Sequence, residues 1–471
     1  MQKKLGICIA ALLCLALLGG CGKTAAPPPD TTAGIAGTDA AGADIANAST
    51  GTAEPTEGTT IQETSSSNTE TGNPTTTTIT TTQQKVQSML NTQKFTSPAE
   101  GANDFAFRLS KALLQNNGKK NFVSSPYSVW LPLAALVNAT RAEHKPALLA
   151  ALGAAGFSEK DLNDAAAEML NRLTNEHARG YDRHNPLRIA NAIFIDKRVT
   201  LKKSFANTFA QSYMGSAMQV DFLSPSAVKT VNDWASKQTE GLIDNIIQEF
   251  DPTTVAAIAN AIYFSDRWSW EFDLEKTKKD TFHGMNGDRD AYFMLREGNS
   301  QPYYEDSKLQ ATLLKFTTNG GLCILLPKDG NANKLLSSMT TSYFDRIQEE
   351  ASPRTGKLLL PRFKIDSGAM KLQNSLEALG VPLFDPAAAP LTGGLIEENI
   401  GVYVGDAVQK AMIEVDEKGT TAAAVTVIMT YAASAMPTPT KPFEMVCDKP
   451  FAFVLYGSGG QILFTGVVNQ V

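Results

Sequence analysis

The side chains that could do chemistry are few and scattered along this chain. Its four histidines, His144, His177, His184 and His283, form no HExxH motif and no Cys-His spacing typical of a metal site. Ser458 lies in YGSGG, which lacks the Gly-x-Ser-x-Gly pattern of a nucleophile elbow and is typical of a hairpin turn. The sequence therefore argues against an enzyme, and we expect no metal and no cofactor.

Cysteine use and charge narrow the functional class further. Only Cys323 and Cys447 lie outside the amino-terminal region, and two isolated cysteines define no disulfide framework. We expect two buried thiols, with a single disulfide as the alternative. The formal net charge of −6 provides no basic surface, so nucleic acid is not an expected partner.

Residues 416–443, near the carboxyl end, have the composition of a buried strand between charged flanks. No charge lies between Lys418 and Lys441, and the segment is rich in Thr, Ala and Val. β-Branched residues favour strands, and uncharged runs of this kind also promote aggregation. Composition alone therefore predicts a buried or aggregation-prone strand here.

Helix and strand patterns alternate over residues 97–471. Apolar residues recur every four positions after Asn103, which predicts an amphipathic helix that ends at residues 116–118. A second amphipathic helix is predicted over residues 226–247. Four short apolar or alternating runs predict strands: VAAIANAIYF, GLCILLP, KLLLPRFKI and PFAFVLYGSGGQILFTGVV. Helices come mostly first and strands mostly last, which indicates an α+β domain.

The amino-terminal region has the pattern of an exported protein. Lys3 and Lys4 precede an apolar run that is too short to span a bilayer, so residues 1–20 are predicted to be a signal peptide. The run ends in LGGC, which resembles the lipobox of bacterial lipoproteins and implies lipidation at Cys21. An ordinary signal peptide that happens to end in Cys is the alternative. We expect a protein on the extracellular face of a bacterial membrane, held only by this lipid anchor, or secreted.

Residues 21–96 are predicted to be a disordered stalk. Between residues 23 and 84 the chain has no aromatic residue and few apolar ones, and it contains PPP and PTTTTITTT. Such a composition cannot bury enough apolar surface to offset chain entropy. A flexible coil of this size would reach roughly 40 to 50 Å, enough to hold a domain clear of a cell surface.

Seven runs of the sequence resemble the serpin family of serine protease inhibitors. They are NFVSSPYS at Asn121, NAIFIDKRVTLKKSF at Asn191, VNDWASKQTEGLIDNII at Val231, ANAIYFSDRWSWEFD at Ala259, LLLPRFKID at Leu358, KAMIEVDEKGTTAAA at Lys410 and DKPFAFVL at Asp448. They stand in the family's order. The resemblance implies the serpin fold, with three β-sheets, eight or nine helices and an exposed reactive loop near the carboxyl terminus. It also implies a monomer whose partner is a serine protease.

The resemblance assigns residues 416–443 to the reactive loop. A protease cleaves this loop, and the freed hinge inserts into the central sheet and traps the protease covalently. The residues that match an inhibitory hinge are Glu417, Gly419, Thr420, Ala422, Ala423 and Ala424. Thr421 and Val425 depart from the usual Glu and fourth small residue, but neither introduces a charge. The alternative is a non-inhibitory serpin that acts as a surface binding, carrier or structural lipoprotein.

The position of the scissile bond is less well defined. Counting from Glu417 by the family's usual spacing places it at Ala433-Ser434, whereas counting back from Asp448 gives a different position, because the segment after Ser434 is longer than in many relatives. The spacing therefore locates the bond only within residues 431–436. Small residues in this window suit an elastase-like protease, and its Tyr and Met suit a chymotrypsin-like one. A subtilisin-like target is a further candidate. The loop offers no Arg or Lys there, which argues against trypsin-like targets.

The resemblance also implies a region where the central sheet opens. The matching residues are Ser125, Ser128, Asn260, Trp268 and Gln409. Each has a simpler structural interpretation, such as a helix cap for Ser125, a satisfied buried amide for Asn260 and a core aromatic for Trp268. Gln409 stands where the family usually has His, so pH-dependent gating through this position is not implied.

Overall fold

The structure is a computed structural model that describes residues 7–20, 95–175, 187–318, 320–419 and 442–471. These ranges contain nine α-helices: α1 (Pro98–Leu114), α2 (Pro126–Val137), α3 (Lys145–Ala151), α4 (Glu159–Asn175), α5 (Lys203–Tyr213), α6 (Ser226–Gln238), α7 (Ala332–Ser337), α8 (Thr341–Glu350) and α9 (Gln373–Ala378). They contain fifteen strands: β1 (Ile7–Gly20), β2 (Phe122–Ser124), β3 (Leu187–Asp196), β4 (Gly215–Val220), β5 (Thr254–Asp266), β6 (Lys278–Gly284), β7 (Gly287–Glu305), β8 (Leu309–Lys315), β9 (Gly321–Pro327), β10 (Ser352–Pro361), β11 (Phe363–Lys371), β12 (Gly401–Val415), β13 (Phe443–Val446), β14 (Phe451–Tyr456) and β15 (Ile462–Val468).

The central sheet has six strands in the order β11-β12-β1-β5-β3-β4. β1 lies in its middle and pairs antiparallel with both β5 and β12. β5 and β12 therefore run parallel to each other on either side of β1. All thirteen residues of β5 are buried, as expected for a strand covered on both faces. The predicted strand VAAIANAIYF is confirmed as part of β5.

The remaining nine strands are hydrogen-bonded in one continuous network, in which the 19-residue strand β7 joins two groups of strands. Residues 287–293 of β7 pair with β6 and residues 293–303 pair with β10, and β13 extends this group at the other edge of β10. Its last residues pair with β8, which leads through β9, β14 and β15 to β2. The predicted strands GLCILLP and PFAFVLYGSGGQILFTGVV are confirmed as β9 and the hairpin β14-β15.

Helix α2 lies in the interior and packs on β5 of the central sheet and on β15. All twelve of its residues are buried, so it is apolar on every side, as interior helices are. Pro126 stands in its first turn, where a missing backbone N–H costs nothing. This helix directly follows Ser125, one of the residues predicted for the sheet-opening region.

Two predicted helices differ from the observed ones at their ends. Helix α1 begins at Pro98, because the Ser97 side chain caps it by accepting from Glu100 N. Asn103 is internal to this helix and instead binds the β14-β15 turn through Gly460 O and Ile462 N. The helix predicted over residues 226–247 ends at Gln238, since the backbone then turns left-handed at residues 240 and 241.

The structure also shows the fourth predicted strand run and the two cysteines. KLLLPRFKI forms two strands, β10 and β11, which are interrupted at Arg362. Cys323 and Cys447 are free and buried, which confirms the two thiols, and burial raises the pKa of both.

Among the residues that the structure describes, no helix is both long and apolar enough to cross a bilayer. The signal peptide and the stalk remain predictions.

Candidate functional site

The site is built where the chain leaves the central sheet after β12. Residues 416–419 cross the end of β5, and this crossing is held by backbone contacts. Phe272 N donates to Glu417 O at 2.9 Å, and Trp268 N donates to Lys418 O at 3.3 Å. An isolated antiparallel bridge then joins Gly419 to Arg267. The start of the predicted hinge is therefore fixed on the strand next to β1.

Only glycine fits at position 419. Its φ of +75° lies in the left-handed region, which side chains other than Gly rarely adopt. A Cβ atom at Gly419 would stand 2.4 Å from Asp266 O and 2.5 Å from Arg267 Cα, far inside contact distance. The hinge residue Gly419 is therefore required by the close approach of two backbone segments.

Glu417 anchors the hinge through a partly buried ion pair with Arg362. Arg362 Nε lies 2.9 Å from each carboxylate oxygen, and its Nη2 lies 2.6 Å from Oε1. The Thr277 hydroxyl also donates to Oε1, at 2.6 Å. Burial alone would raise the pKa of Glu417, but these donors outweigh burial and hold the pKa below its usual value. The carboxylate is therefore kept ionised although only 5% of its side chain is exposed.

The pKa of Asp416, the preceding residue, is shifted in the opposite direction. Burial raises its pKa to about 6, and the nearby Glu417 carboxylate adds to the shift. The Trp268 indole donates to the main-chain oxygen of Asp416 at 2.9 Å. Trp268 is buried and stacks on Phe316, with ring centroids 4.9 Å apart. Trp268 is therefore a core aromatic, as its simpler interpretation predicts. Its indole N–H also fixes the backbone at Asp416, just before the hinge begins.

Gln409 on β12 binds three serines around the start of α2. Its Oε1 accepts from Ser124 Oγ at 2.7 Å and from Ser125 N at 3.2 Å. Its Nε2 donates to Ser125 O at 2.8 Å and to Ser128 Oγ at 3.2 Å. Gln409 is fully buried and uses both ends of its amide. Three of the five residues predicted for the sheet-opening region thus form one network.

Ser125 and Asn260 differ from their simpler interpretations. Ser125 stands at the N-cap position of α2, but its hydroxyl donates to Leu463 O at 2.8 Å and makes no cap bond. Asn260 Nδ2 donates to Asn191 Oδ1 at 2.7 Å, whereas its own Oδ1 is buried without a hydrogen-bond partner. The amide of Asn260 is therefore only half satisfied.

β1 separates Asn260 from the Gln409 network. In the strand register, Leu13 of β1 is opposite Asn260 on one side and opposite Gln409 on the other. The family resemblance assigned Asn260 and Gln409 to one region, but they lie on strands that β1 separates. Without β1 between them, β5 and β12 would be neighbours in the central sheet.

Several predicted site residues fall outside the part of the chain that the structure describes. They are Thr420, Ala422, Ala423 and Ala424 of the hinge, Ala433 and Ser434 of the reactive bond, and the lipidation residue Cys21. Conversely, sequence analysis missed Arg362, Thr277 and Ser124 as partners of predicted residues. Arg362 could have been noticed, because a charge inside the apolar run KLLLPRFKI needs a partner.

The comparisons with known proteins agree with this geometry. The family model described as Serpin (serine protease inhibitor) matches residues 100–471. The chain belongs to the serpin family. This serpin is 27% identical over 381 residues to the plasma serine protease inhibitor of Bos taurus, which covers 80% of this chain and 91% of that one.

Solved structures confirm the serpin fold. The crystal structure of a thermophilic serpin, tengpin, in the native state covers 80% of this chain and 95% of its own, with a TM-score of 0.68 and 25% identity. The crystal structure of human thyroxine-binding globulin complexed with thyroxine covers 79% of this chain and 98% of its own, with a TM-score of 0.66 and 24% identity. The predicted α+β fold with three sheets is thereby confirmed, as is the helix number of eight or nine.

Membership in the family shows what relatives of this chain generally do. Serpins generally inhibit serine proteases and are not catalysts. The likeness to thyroxine-binding globulin shows only the fold, but that protein binds a small molecule, so the fold serves more than one function. What this serpin does must therefore be argued from its own hinge.

Proposed function

We propose that this serpin inhibits serine proteases as a suicide substrate and is not itself an enzyme. The protease cleaves residues 431–436, most simply at Ala433-Ser434, and forms an acyl bond to the new carboxyl end. The hinge then enters the central sheet as a strand and carries the protease with it, which distorts the protease before the acyl bond is hydrolysed. Strand addition by the loop is the known serpin case of this mechanism.

One observation carries the proposal: the position of Gly419. It is bridged to Arg267 at the end of β5, while β12 ends four residues earlier at Val415. The segment that follows Gly419 therefore begins beside the position between β5 and β12. A strand that starts there and runs back along β12 is antiparallel to both neighbours.

The energetics favour insertion. If about a dozen ladder hydrogen bonds form at roughly 1 kcal/mol net each, the gain is on the order of 10 kcal/mol before any apolar burial. This is comparable with the stability of a whole domain. The chain before cleavage would therefore persist because its conversion is slow, not because it is the most stable form.

The loop composition supports a protease with a shallow or an apolar primary pocket. Small residues at 432–435 suit an elastase-like enzyme, and Tyr431 or Met436 suits a chymotrypsin-like enzyme. A subtilisin-like target remains within the proposal. We further propose export, lipidation at Cys21, and display of a monomeric domain on a stalk at the outer face of a bacterial membrane.

The test uses chain produced in an exporting bacterial host, with leader removal checked by mass. It is incubated with elastase-like, chymotrypsin-like, subtilisin-like and trypsin-like proteases, and samples are boiled in detergent. We expect a covalent complex with at least one of the first three and none with the trypsin-like enzyme. The mass of the released carboxyl-terminal peptide identifies the bond. Cleavage without any complex, across the whole panel, would instead favour a non-inhibitory serpin that acts as a carrier or surface-binding protein.

A further inference from the structure

The apolar amino-terminal segment lies in the centre of the molecule. β1 pairs with β5 from Ile7 to Leu18 and with β12 from Cys8 to Gly20, so both of its edges are hydrogen-bonded. A strand paired on both sides cannot leave a sheet without breaking two ladders. This segment is therefore an integral strand of the described structure.

The position that β1 holds is the position that the reactive loop needs. A strand that continues from Gly419 must turn back along β12 and lie between β12 and β5, antiparallel to each, and β1 has this same orientation. The lengths also agree. β1 has 14 residues, and the segment from Thr420 to Ala433 has the same number. Two strands of equal length and direction cannot occupy one position together.

The two segments also share the composition that this position demands. β5 is buried along its whole length, and β12 has no fully exposed residue. A charged strand between them would have to give up its hydration without compensation. Neither ICIAALLCLALLGG in β1 nor TTAAAVTVIMTYAA in the loop contains a charged residue. Both segments therefore satisfy the same requirement.

The fit of β1 is imperfect at one end. The ladder with β12 shifts register between Ala16 and Leu17, and the ladder with β5 shifts between Leu17 and Leu18. A cavity of about 520 Å³ lies at the same end, lined by residues that include Thr254, Gly405 and Asp406. Further along, Asn260 is the register partner of Leu13, and its side-chain oxygen is buried without a hydrogen-bond partner. These defects are expected of a strand that is not a permanent part of the sheet.

We propose that the segment Ile7–Gly20 is an internal occupant of the loop-insertion position and keeps the uncleaved precursor unable to trap a protease. This inference rests on the proposed function. Removal of residues 1–20 on export frees the position between β5 and β12, and the chain then becomes an inhibitor. A precursor that folds before export can still be cleaved in its loop, but its loop has no place to insert. Occupancy of this position by β1 therefore restricts protease trapping to the exported protein.

The experiment compares full-length chain, produced without export, with exported chain from which residues 1–20 have been removed. Two full-length variants accompany them. Leu13→Pro removes the backbone N–H at the middle of β1 and should expel the strand, since Pro cannot donate to a ladder. Leu13→Ala keeps this N–H and is its matched control. Each protein is assayed for covalent complex with the protease that the panel identifies, and β1 is followed by hydrogen exchange.

We expect the full-length chain and Leu13→Ala to give at least tenfold less covalent complex than the exported chain, and Leu13→Pro to recover most of it. Amides of residues 7–20 should exchange at least a thousandfold more slowly in the full-length chain than in Leu13→Pro. Equal trapping by the full-length and exported chains would overturn this inference and leave the proposed function intact. Unprotected amides in the full-length chain would also overturn it. Protected amides together with no trapping by any chain would refute the proposed function, while occupancy by β1 would stand.

Discussion

Arg362 Nε lies 2.9 Å from both carboxylate oxygens of Glu417, at the point where the chain leaves the central sheet. The two residues are 55 positions apart in sequence. Arg362 occupies the break between β10 and β11, so the two strands fix its backbone while its guanidinium binds Glu417 at the start of the hinge. The first residues of the hinge are thus anchored by an ion pair.

Glu417→Gln should weaken this anchor. The substitution leaves the Arg362 charge without a full counter-charge, so we expect the free energy of unfolding to fall by about 2 kcal/mol. Glu414→Gln is the matched control, because Glu414 pairs with Lys364 at 2.8 Å in a much more exposed setting and should contribute less than about 1 kcal/mol. Apparent melting temperatures measured at one scan rate compare the two variants. Equal losses would show that the Glu417 pair has no special role.

Stability should depend on pH through Asp416, in the opposite sense to Glu417. The pKa of Glu417 is lowered in the fold, so its contribution is lost as pH falls. The pKa of Asp416 is raised to about 6, so its ionisation costs stability as pH rises above about 4, with the full cost reached above about 6.

Asp416→Asn removes this cost and keeps an oxygen to accept from Lys418 N, which donates to Asp416 Oδ1 at 2.9 Å. The variant should be more stable than wild type by about 1 to 3 kcal/mol at pH 7.5. At pH 4.5 this advantage should fall by more than half. Thermal unfolding of both proteins at the two pH values measures the difference, in which the other ionisable groups cancel. An advantage that does not change with pH would contradict the assignment to Asp416.

Gly419→Ala should destabilise the hinge through a steric clash. Gly393 provides a control with nearly the same backbone, since its φ is +73° against +75° at Gly419, and an added Cβ there meets nothing within 4 Å. Gly393→Ala should therefore cost only the backbone strain, about 1 to 2 kcal/mol. Gly419→Ala should cost about 1 to 3 kcal/mol more, because the Cβ would meet the backbone at Asp266. Thermal melts compare the two variants, and similar costs would show that the close approach relaxes easily.

Local patterns were sufficient to predict six of the fifteen described strands, and seven runs carried the resemblance to the family. β5, β9 and the β14-β15 hairpin are apolar runs bounded by turn residues, so their type follows from nearby sequence. The end of α6 could not be predicted because a non-glycine residue, Glu240, begins the left-handed turn. A left-handed conformation is uncommon at residues other than Gly, so the sequence gives little sign of it. Helix boundaries depend on such single residues.

The pairings that build the site could not be predicted from local sequence. Gln409 binds Ser124, which lies 285 positions earlier in the chain, and no periodicity reports such a contact. The apolar run in residues 5–18 was interpreted only as a signal for export. Its suitability as a strand between β5 and β12 depends on two distant strands, so only the structure reveals it.

Thr420→Arg tests whether hinge insertion is needed for inhibition. In an inserted strand, alternation places Thr420, Ala422 and Ala424 on one face, and a buried Arg there would lose its hydration without a partner. Each 1.4 kcal/mol added to the insertion barrier slows insertion about tenfold, so hydrolysis of the acyl bond should win. We expect exported Thr420→Arg to be cleaved at the normal rate but to form no covalent complex, whereas Thr440→Arg, which lies beyond the cleavage window of residues 431–436, should inhibit like wild type. Detergent gels and cleavage rates measure both, and unchanged inhibition by Thr420→Arg would refute the insertion mechanism.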